Sequence, residues 1–199
     1  NVAAIKALCN TGILLNKGQV TFNGGIEGTV NEYLRTDRLE RNEIHWDDIT
    51  DAPGNENIRL QCISVKPKQG AVLNIDSGVL IEIKFYNAVI NANLDTTMHL
   101  LTIEGSYVFA SGVIISTSND SKKGFYTATV EIPSHLLNAG IYKVTLIFGR
   151  DHLYALFKIE DVVSFEIKNT TVLGINKQRS PGVIKPILTW SLEHAVERV

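Results

Sequence analysis

The sequence predicts a mostly β chain: an antiparallel immunoglobulin-like or jelly-roll β-sandwich, with a small α+β segment at the N-terminal end. Three observations carry this expectation. From Ile58 onward, apolar residues recur at every second position in short runs. Turn-forming residues separate those runs, as they do in sandwiches. Before residue 37 the pattern differs, with helical spacing on both sides of a hairpin-like stretch.

Residues 1–36 read as helix, strand, turn, strand, helix. "VAAIKALC" spaces its apolar residues for a helix, "GILL" is a short strand, Lys17-Gly18 is a turn, and "QVTF" alternates. "GTVNEYL" sets Val30, Tyr33 and Leu34 at helical offsets. Residues 37–57 are an acidic linker by composition. Asp37, Glu40, Glu43, Asp47, Asp48, Asp51 and Glu56 outnumber Arg38 and Arg41, and "DAPGNEN" adds Pro, Gly and Asn. Ile44 and Trp46 break that composition and are expected to dock on a neighbour, Trp46 as a linker anchor.

Residues 58–199 carry the sandwich. "VLIEIKFY" directs Val79, Ile81, Ile83 and Phe85 inward; "FYTATVEI" does the same with Tyr126, Ala128, Val130 and Ile132. "IYKVTLIF" turns Tyr142, Val144, Leu146 and Phe148 to the core, and "VSFEI" adds Phe165 and Ile167. "TTMHLLTIEGSYVFASG" reads as a hairpin turning at Glu104-Gly105, with the inward set among Met98, His99, Leu100 and Leu101 left open. "PSHLLNAG" reads as one helical turn ended by Gly140. "RSPGVIKPILTW" reads as extended, because its two prolines exclude a helix.

Composition excludes several function classes. The 199 residues are 44% hydrophobic and 20% charged, with a formal net charge of −2. A sizeable core is possible, and no global field draws the chain to nucleic acid. No apolar run approaches the roughly 20 residues of a membrane helix. Cys9 and Cys62 form no framework, which fits a reducing compartment. His45, His99, His135, His152 and His194 are scattered without metal-ligand spacing, so no metal is expected. No G-x-S-x-G elbow and no paired carboxylates stand out. An enzyme is therefore the weakest reading.

The stretch "AAIKALCNTGILLNKGQVTFNGGIEGTVNEYL" resembles the last part of an ABC transporter nucleotide-binding domain. Leu8, Cys9, Leu14, Leu15, Gly18, Val20, Gly24, Tyr33 and Leu34 match that family's pattern. By the resemblance, the family's switch histidine precedes Asn1. The stretches "DAPGNENIRL", "GFYTATVEIPSHLLNAGIYKVTL", "VVSFEI" and "GVIKPILTW" resemble the C-terminal carbohydrate-binding domain of Wzt-type ATPases, which serve exporters of O-antigen and related glycans. A P-loop, an acidic strand end for magnesium and the ABC signature are all missing from these 199 residues. The resemblance thus implies a non-catalytic glycan-binding module without a cofactor of its own; ATP and magnesium belong to the parent ATPase. It further implies a polysaccharide ligand, a homodimer, a membrane-spanning channel subunit as partner, and a cytoplasmic place at the inner-membrane face. The rival is a structural dimerisation domain with no sugar site.

A glycan offers apolar C–H faces to aromatic rings and hydroxyls to short polar groups. Two faces meet that need. One groups His99, Tyr107, Lys143 and Thr145, with the loop Arg150, His152 and Tyr154 at its edge. The alternative groups Glu82, Lys84 and Tyr86 beside Thr127 and Thr129. The first is preferred, because its loop could close over a sugar. The Pro-bearing strand, with Val183, Ile184, Ile187, Leu188 and Trp190, is expected at the dimer interface.

Overall fold

In a computed structural model of the chain, the described residues are 2–36, 42–151, 153–169, 182–184, 186, 187 and 189. The N-terminal unit runs α1 (Val2–Leu8), β1 (Thr11–Asn16), β2 (Gln19–Gly25) and α2 (Ile26–Thr36). Lys17 and Gly18 both have positive φ, 48° and 80°, and Asn16 pairs with Gln19. That is the two-residue turn whose twist suits a hairpin. α2 lies close on the hairpin. The Thr29 hydroxyl is 3.1 Å from the carbonyls of Gly12 and Gly25, and a Cβ at Gly12 would stand 2.8 Å from Thr29 Cγ2. Only glycine fits there. The opposite face of the hairpin leaves Ile13, Leu15 and Val20 exposed.

The rest is a sandwich of two four-stranded antiparallel sheets. Its strands are β3 (Glu43–His45), β4 (Ile58–Pro67), β5 (Val79–Asn87), β6 (Leu94–Thr102), β7 (Tyr107–Ser116), β8 (Gly124–Ile132), β9 (Gly140–Arg150) and β10 (Tyr154–Ile167). One sheet has the order β3-β4-β5-β8, the other β10-β9-β6-β7. β4-β5-β8 and β10-β9-β6-β7 reproduce the A-B-E and G-F-C-C′ orders of immunoglobulin-like domains, with β3 added at an edge.

The inward residues predicted on β5, β8, β9 and β10 do face the core. Val79, Ile81, Ile83, Phe85, Tyr142, Val144, Leu146, Phe148, Phe165 and Ile167 are buried. Phe85 joins the two sheets: its ring lies 4.8 Å from Phe148 across the core and 5.6 Å from Tyr126 beside it. The open register on β6 resolves with Met98 and Leu100 inward, leaving His99 and Leu101 on the outer face. The Tyr142 hydroxyl, near the start of the F-equivalent strand, donates back to Asn138 O at 2.8 Å. That is a tyrosine corner, a hallmark of this topology.

Two further segments take their places on the sandwich, and one expectation needs correction. The described part of the acidic segment docks through Ile44 and Trp46, as expected of its two apolar side chains. β3 pairs Glu43, Ile44 and His45 with Ser64, Ile63 and Cys62, and Ile44 and Trp46 pack on the core. Two apolar side chains suffice to draw a short acidic strand onto a sheet edge. "PSHLLNAG" forms a hydrogen-bonded turn rather than helix, with His135 at φ 61°, and Gly140 opens β9 instead of ending a helix. Finally, Val183 packs against this chain's own core. Asn138 donates from Nδ2 to Gly182 O at 2.8 Å and from its backbone N–H to Val183 O at 3.1 Å, and Leu137 bridges Ile184. Ile184 and Ile187 are exposed, whereas Leu188 and Trp190 lie outside the described residues.

Candidate functional site

The outer face of β10-β9-β6-β7 is organised in rows by strand pairing. Ile147, Thr97 and Gly112 form one row; Thr145, His99 and Ala110 the next; Lys143, Leu101 and Tyr107 the third. β10 adds Lys158 opposite Ile147 and Ser164 opposite Lys143. Small residues keep the β7 side of the floor low. Gly112 admits no side chain, because a Cβ would stand 2.9 Å from both Thr96 O and Thr97 Oγ1.

Two rims border that floor. On β7, the exposed Tyr107 meets the His99 ring edge-to-face, with centroids 5.4 Å apart. On β10, the pairing with β9 jumps between Ile159 and Val163, and Asp161 adopts φ 50°. Aspartate tolerates that left-handed conformation better than most residues. The bulge raises Glu160 and Asp161 above the sheet. Lys143 Nζ lies 2.8 Å from Asp161 Oδ2, and Lys158 Nζ lies 2.5 Å from Glu160 Oε1. The hydrogen bond and charge of Glu160 hold the Lys158 ammonium above its ordinary pKa, and Lys158 holds Glu160 below its own.

His99, Tyr107 and Lys143 are therefore brought together as expected from the sequence. Thr145 stands beside them but is buried, and its hydroxyl accepts the Asp161 backbone N–H at 3.3 Å. It positions the rim and does not face solvent. His99 Nδ1 is buried with no hydrogen-bond partner among the described residues, which marks this floor as more than a passive wet face. Arg150 and Tyr154 do not join the group. They pair with each other and with the inward-facing Leu94 at the sheet's end, on the opposite side from His99. Their turn is tied to the neighbouring loops, since Asn93 Nδ2 donates to Asp151 Oδ1 at 3.1 Å and the Asp151 N–H to Asn93 O at 3.1 Å. His152 lies outside the described residues. Asp161, Lys158 and Glu160 went unnoticed in the sequence. The signal was the run "KIEDVV", which breaks the alternation of an otherwise regular strand.

The alternative face pairs Glu82 with Thr129, Lys84 with Thr127 and Tyr86 with Phe125. Its centre is a Glu82–Lys84 ion pair at 3.1 Å, and that carboxylate raises the Lys84 pKa. Burial pushes the nearby Cys62 thiol up, with the Glu43 charge adding to the effect. The His45 ring on β3 stands in register with Cys62 and Lys84, and Tyr86 and Phe125 meet edge-to-face at 5.1 Å at one end. There a cleft of 360 Å³ opens between them, Ile49, Thr50 and Arg59. The Arg59 guanidinium is tethered by the carbonyls of Thr50 at 2.9 Å and Ala52 at 3.1 Å. Among the described residues, no group of three His, Cys, Asp or Glu could hold a metal, and no helix is long and apolar enough to cross a membrane.

The chain was compared with known proteins at three levels. No family model matches it. No curated protein matches it either. Among solved structures, the C-terminal domain of Wzt superposes with a TM-score of 0.55 at 13% identity, over 76% of this chain and 89% of that one. The chain has the fold of the Wzt C-terminal domain. A Bacteroides fragilis protein assigned as a beta-galactosidase aligns over 48% of this chain and 15% of its own length, at 20% identity and a TM-score of 0.33, too low to bear on the fold. The Wzt-like architecture is that expected from "GFYTATVEIPSHLLNAGIYKVTL", where β8, the tyrosine corner and β9 lie.

Proposed function

We propose that this chain is a non-catalytic glycan-binding module of an ABC transporter ATP-binding subunit, recognising O-antigen or a related polysaccharide for export. The observation that carries the reading is the outer face of β10-β9-β6-β7, on a sandwich with the Wzt fold. It joins an aromatic pair, His99 and Tyr107, to hydrogen-bonding rims at Lys143, Lys158, Glu160 and Asp161 over a floor of small residues. A polymer can lie across such an open face, its C–H surfaces on the rings and its hydroxyls on the rims. On the alternative face the Tyr86–Phe125 pair stands one row beyond the Glu82–Lys84 ion pair, at the end that opens into the Arg59 cleft.

Residues 1–36 are the tail of the ATPase's nucleotide-binding domain in this reading. A hairpin exposing Ile13, Leu15 and Val20 on one face supports that assignment, because a unit this small buries too little to stand alone. The module works as a homodimer in the cytoplasm, against the channel subunit at the inner membrane, while ATP and magnesium serve the parent ATPase. Residues 183–190 lie at or across the dimer interface. Isothermal titration of the chain with candidate O-polysaccharides tests the sugar site. Saturable heat that Tyr107→Ala abolishes supports it. Silence with the organism's own glycan, together with unimpaired export after deletion of residues 58–199, refutes it.

A further inference from the structure

We infer that the polysaccharide this module takes is uncharged; the inference rests on the glycan-binding reading and names its substrate class. An acidic glycan, carrying uronic acid or phosphate, needs cations whose charge is not already spent, so that the surface potential favours it. Among the described residues, the outer face of β10-β9-β6-β7 offers none. On the β10-β9-β6-β7 face, Lys143 is held by Asp161 at 2.8 Å and Lys158 by Glu160 at 2.5 Å, and Glu166 adds a further carboxylate opposite Ile141. The other face repeats the arrangement: Lys84 with Glu82 at 3.1 Å, Lys66 with Glu43 at 3.6 Å, Lys68 with Glu131 at 2.5 Å. Arg59 is the exception on that side: its guanidinium meets two neutral backbone carbonyls, which orient it and leave its charge in place, with Glu56 lining the same cleft. The inference therefore rests on the β10-β9-β6-β7 face as the groove, where each described lysine has a carboxylate partner.

Single exposed ion pairs are weak. The argument rests on the sum of charge, since every cation displaced toward an acidic sugar uncovers a carboxylate that repels it. Lys122, Lys123 and Lys168 lie off both faces, in the connection before β8 and just past β10. An uncharged polyol meets no such opposition. It takes hydrogen bonds from the lysines while they keep their partners, and stacks on Tyr107 and His99.

Affinity electrophoresis of the full chain against a panel of bacterial O-polysaccharides, half uncharged and half bearing uronic acid or phosphate, tests this. The expected result is retention by uncharged members only, changing on the order of twofold or less between low and high salt, since no counter-charge is screened. Asp161→Asn, checked for folding by circular dichroism, leaves Lys143 uncompensated and should gain salt-sensitive retention by acidic members. Retention of the unmodified chain by acidic members, lost with salt, overturns the inference while sparing the glycan-binding reading. Absence of retention by any member, the producing organism's own glycan included, overturns that reading and the inference with it.

Discussion

Tyr142 and Tyr107 use one side chain in two ways. Tyr142 is buried, stacks on Phe165 at 5.8 Å, and donates its hydroxyl to backbone carbonyls, Asn138 O at 2.8 Å and Val183 O at 3.0 Å. Tyr142→Phe takes the hydroxyl from Asn138 O, while Val183 O keeps the Asn138 backbone N–H, and should cost about 1–2 kcal/mol in urea unfolding. Tyr107 is 67% exposed, so Tyr107→Ala should leave the unfolding midpoint in place and weaken polysaccharide binding. A matching loss of stability would make Tyr107 a packing residue. Phe85→Ala removes the ring that bridges the sheets and should cost about 3–5 kcal/mol. The thiols also separate by burial: Cys62 is buried with its pKa raised, Cys9 is exposed. One equivalent of a thiol reagent should react promptly at neutral pH and the second only on unfolding; two prompt equivalents would contradict the buried placement. Asp120 is held below its ordinary 3.8 chiefly by the Ser116 hydroxyl. A carboxyl with a lowered folded pKa stabilises above its unfolded value and stops doing so as pH falls through the folded one. The difference in melting temperature between the unmodified chain and Asp120→Asn should therefore shrink from about pH 6 to about pH 3.

At the scale of elements, the sequence spoke clearly wherever a strand had one dry face. β5, β8 and β9 alternate without interruption, so their inward residues could be named in advance. β6 could not be registered, because "MHLL" offers apolar residues to both faces, and only pairing with β7 and β9 chooses between them. The acidic segment was legible from composition and from its two apolar exceptions together. Charge described its exposed side chains correctly, and Ile44 and Trp46 were enough to dock it. "PSHLLNAG" looked helical because Leu136 and Leu137 follow a proline; in the fold Leu137 is buried and bridged to Ile184, and the turn serves the tyrosine corner. The site was half legible. The outward face of Lys143 followed from the alternation of β9, but that of His99 waited on the β6 register, and the Glu160-Asp161 rim depends on a bulge that no alternation rule foresees. Arg150, by contrast, stands an odd number of residues from Lys143 and Thr145 on β9, so alternation along that strand puts it and its partner Tyr154 on the other side of the sheet. Asn138 clamps Gly182 and Val183, so Asn138→Ala should cost about 1–3 kcal/mol and expose the segment after residue 181 to protease sooner. Unchanged cleavage would mean that other contacts hold the segment.

At the scale of the whole molecule, two units differ in how they could stand alone. The sandwich has a continuous two-sheet core; among the described residues of the N-terminal unit, Val30 and Thr29 are the buried ones. A chain starting at residue 42 should thus unfold cooperatively with the sandwich's own midpoint, whereas residues 1–36 alone should show no cooperative transition. For the dimer, light scattering of a chain ending at Lys177 should report monomer, and an unchanged dimer would remove residues 183–190 from the interface. The central claim is that the face around His99, Tyr107 and Lys143 binds a sugar polymer. Titration calorimetry of the O-polysaccharide into the unmodified chain and into Tyr107→Ala tests it most directly: saturable binding, lost in a variant that melts at the same temperature, is the predicted result, and equal binding by both chains, or by neither, would contradict it.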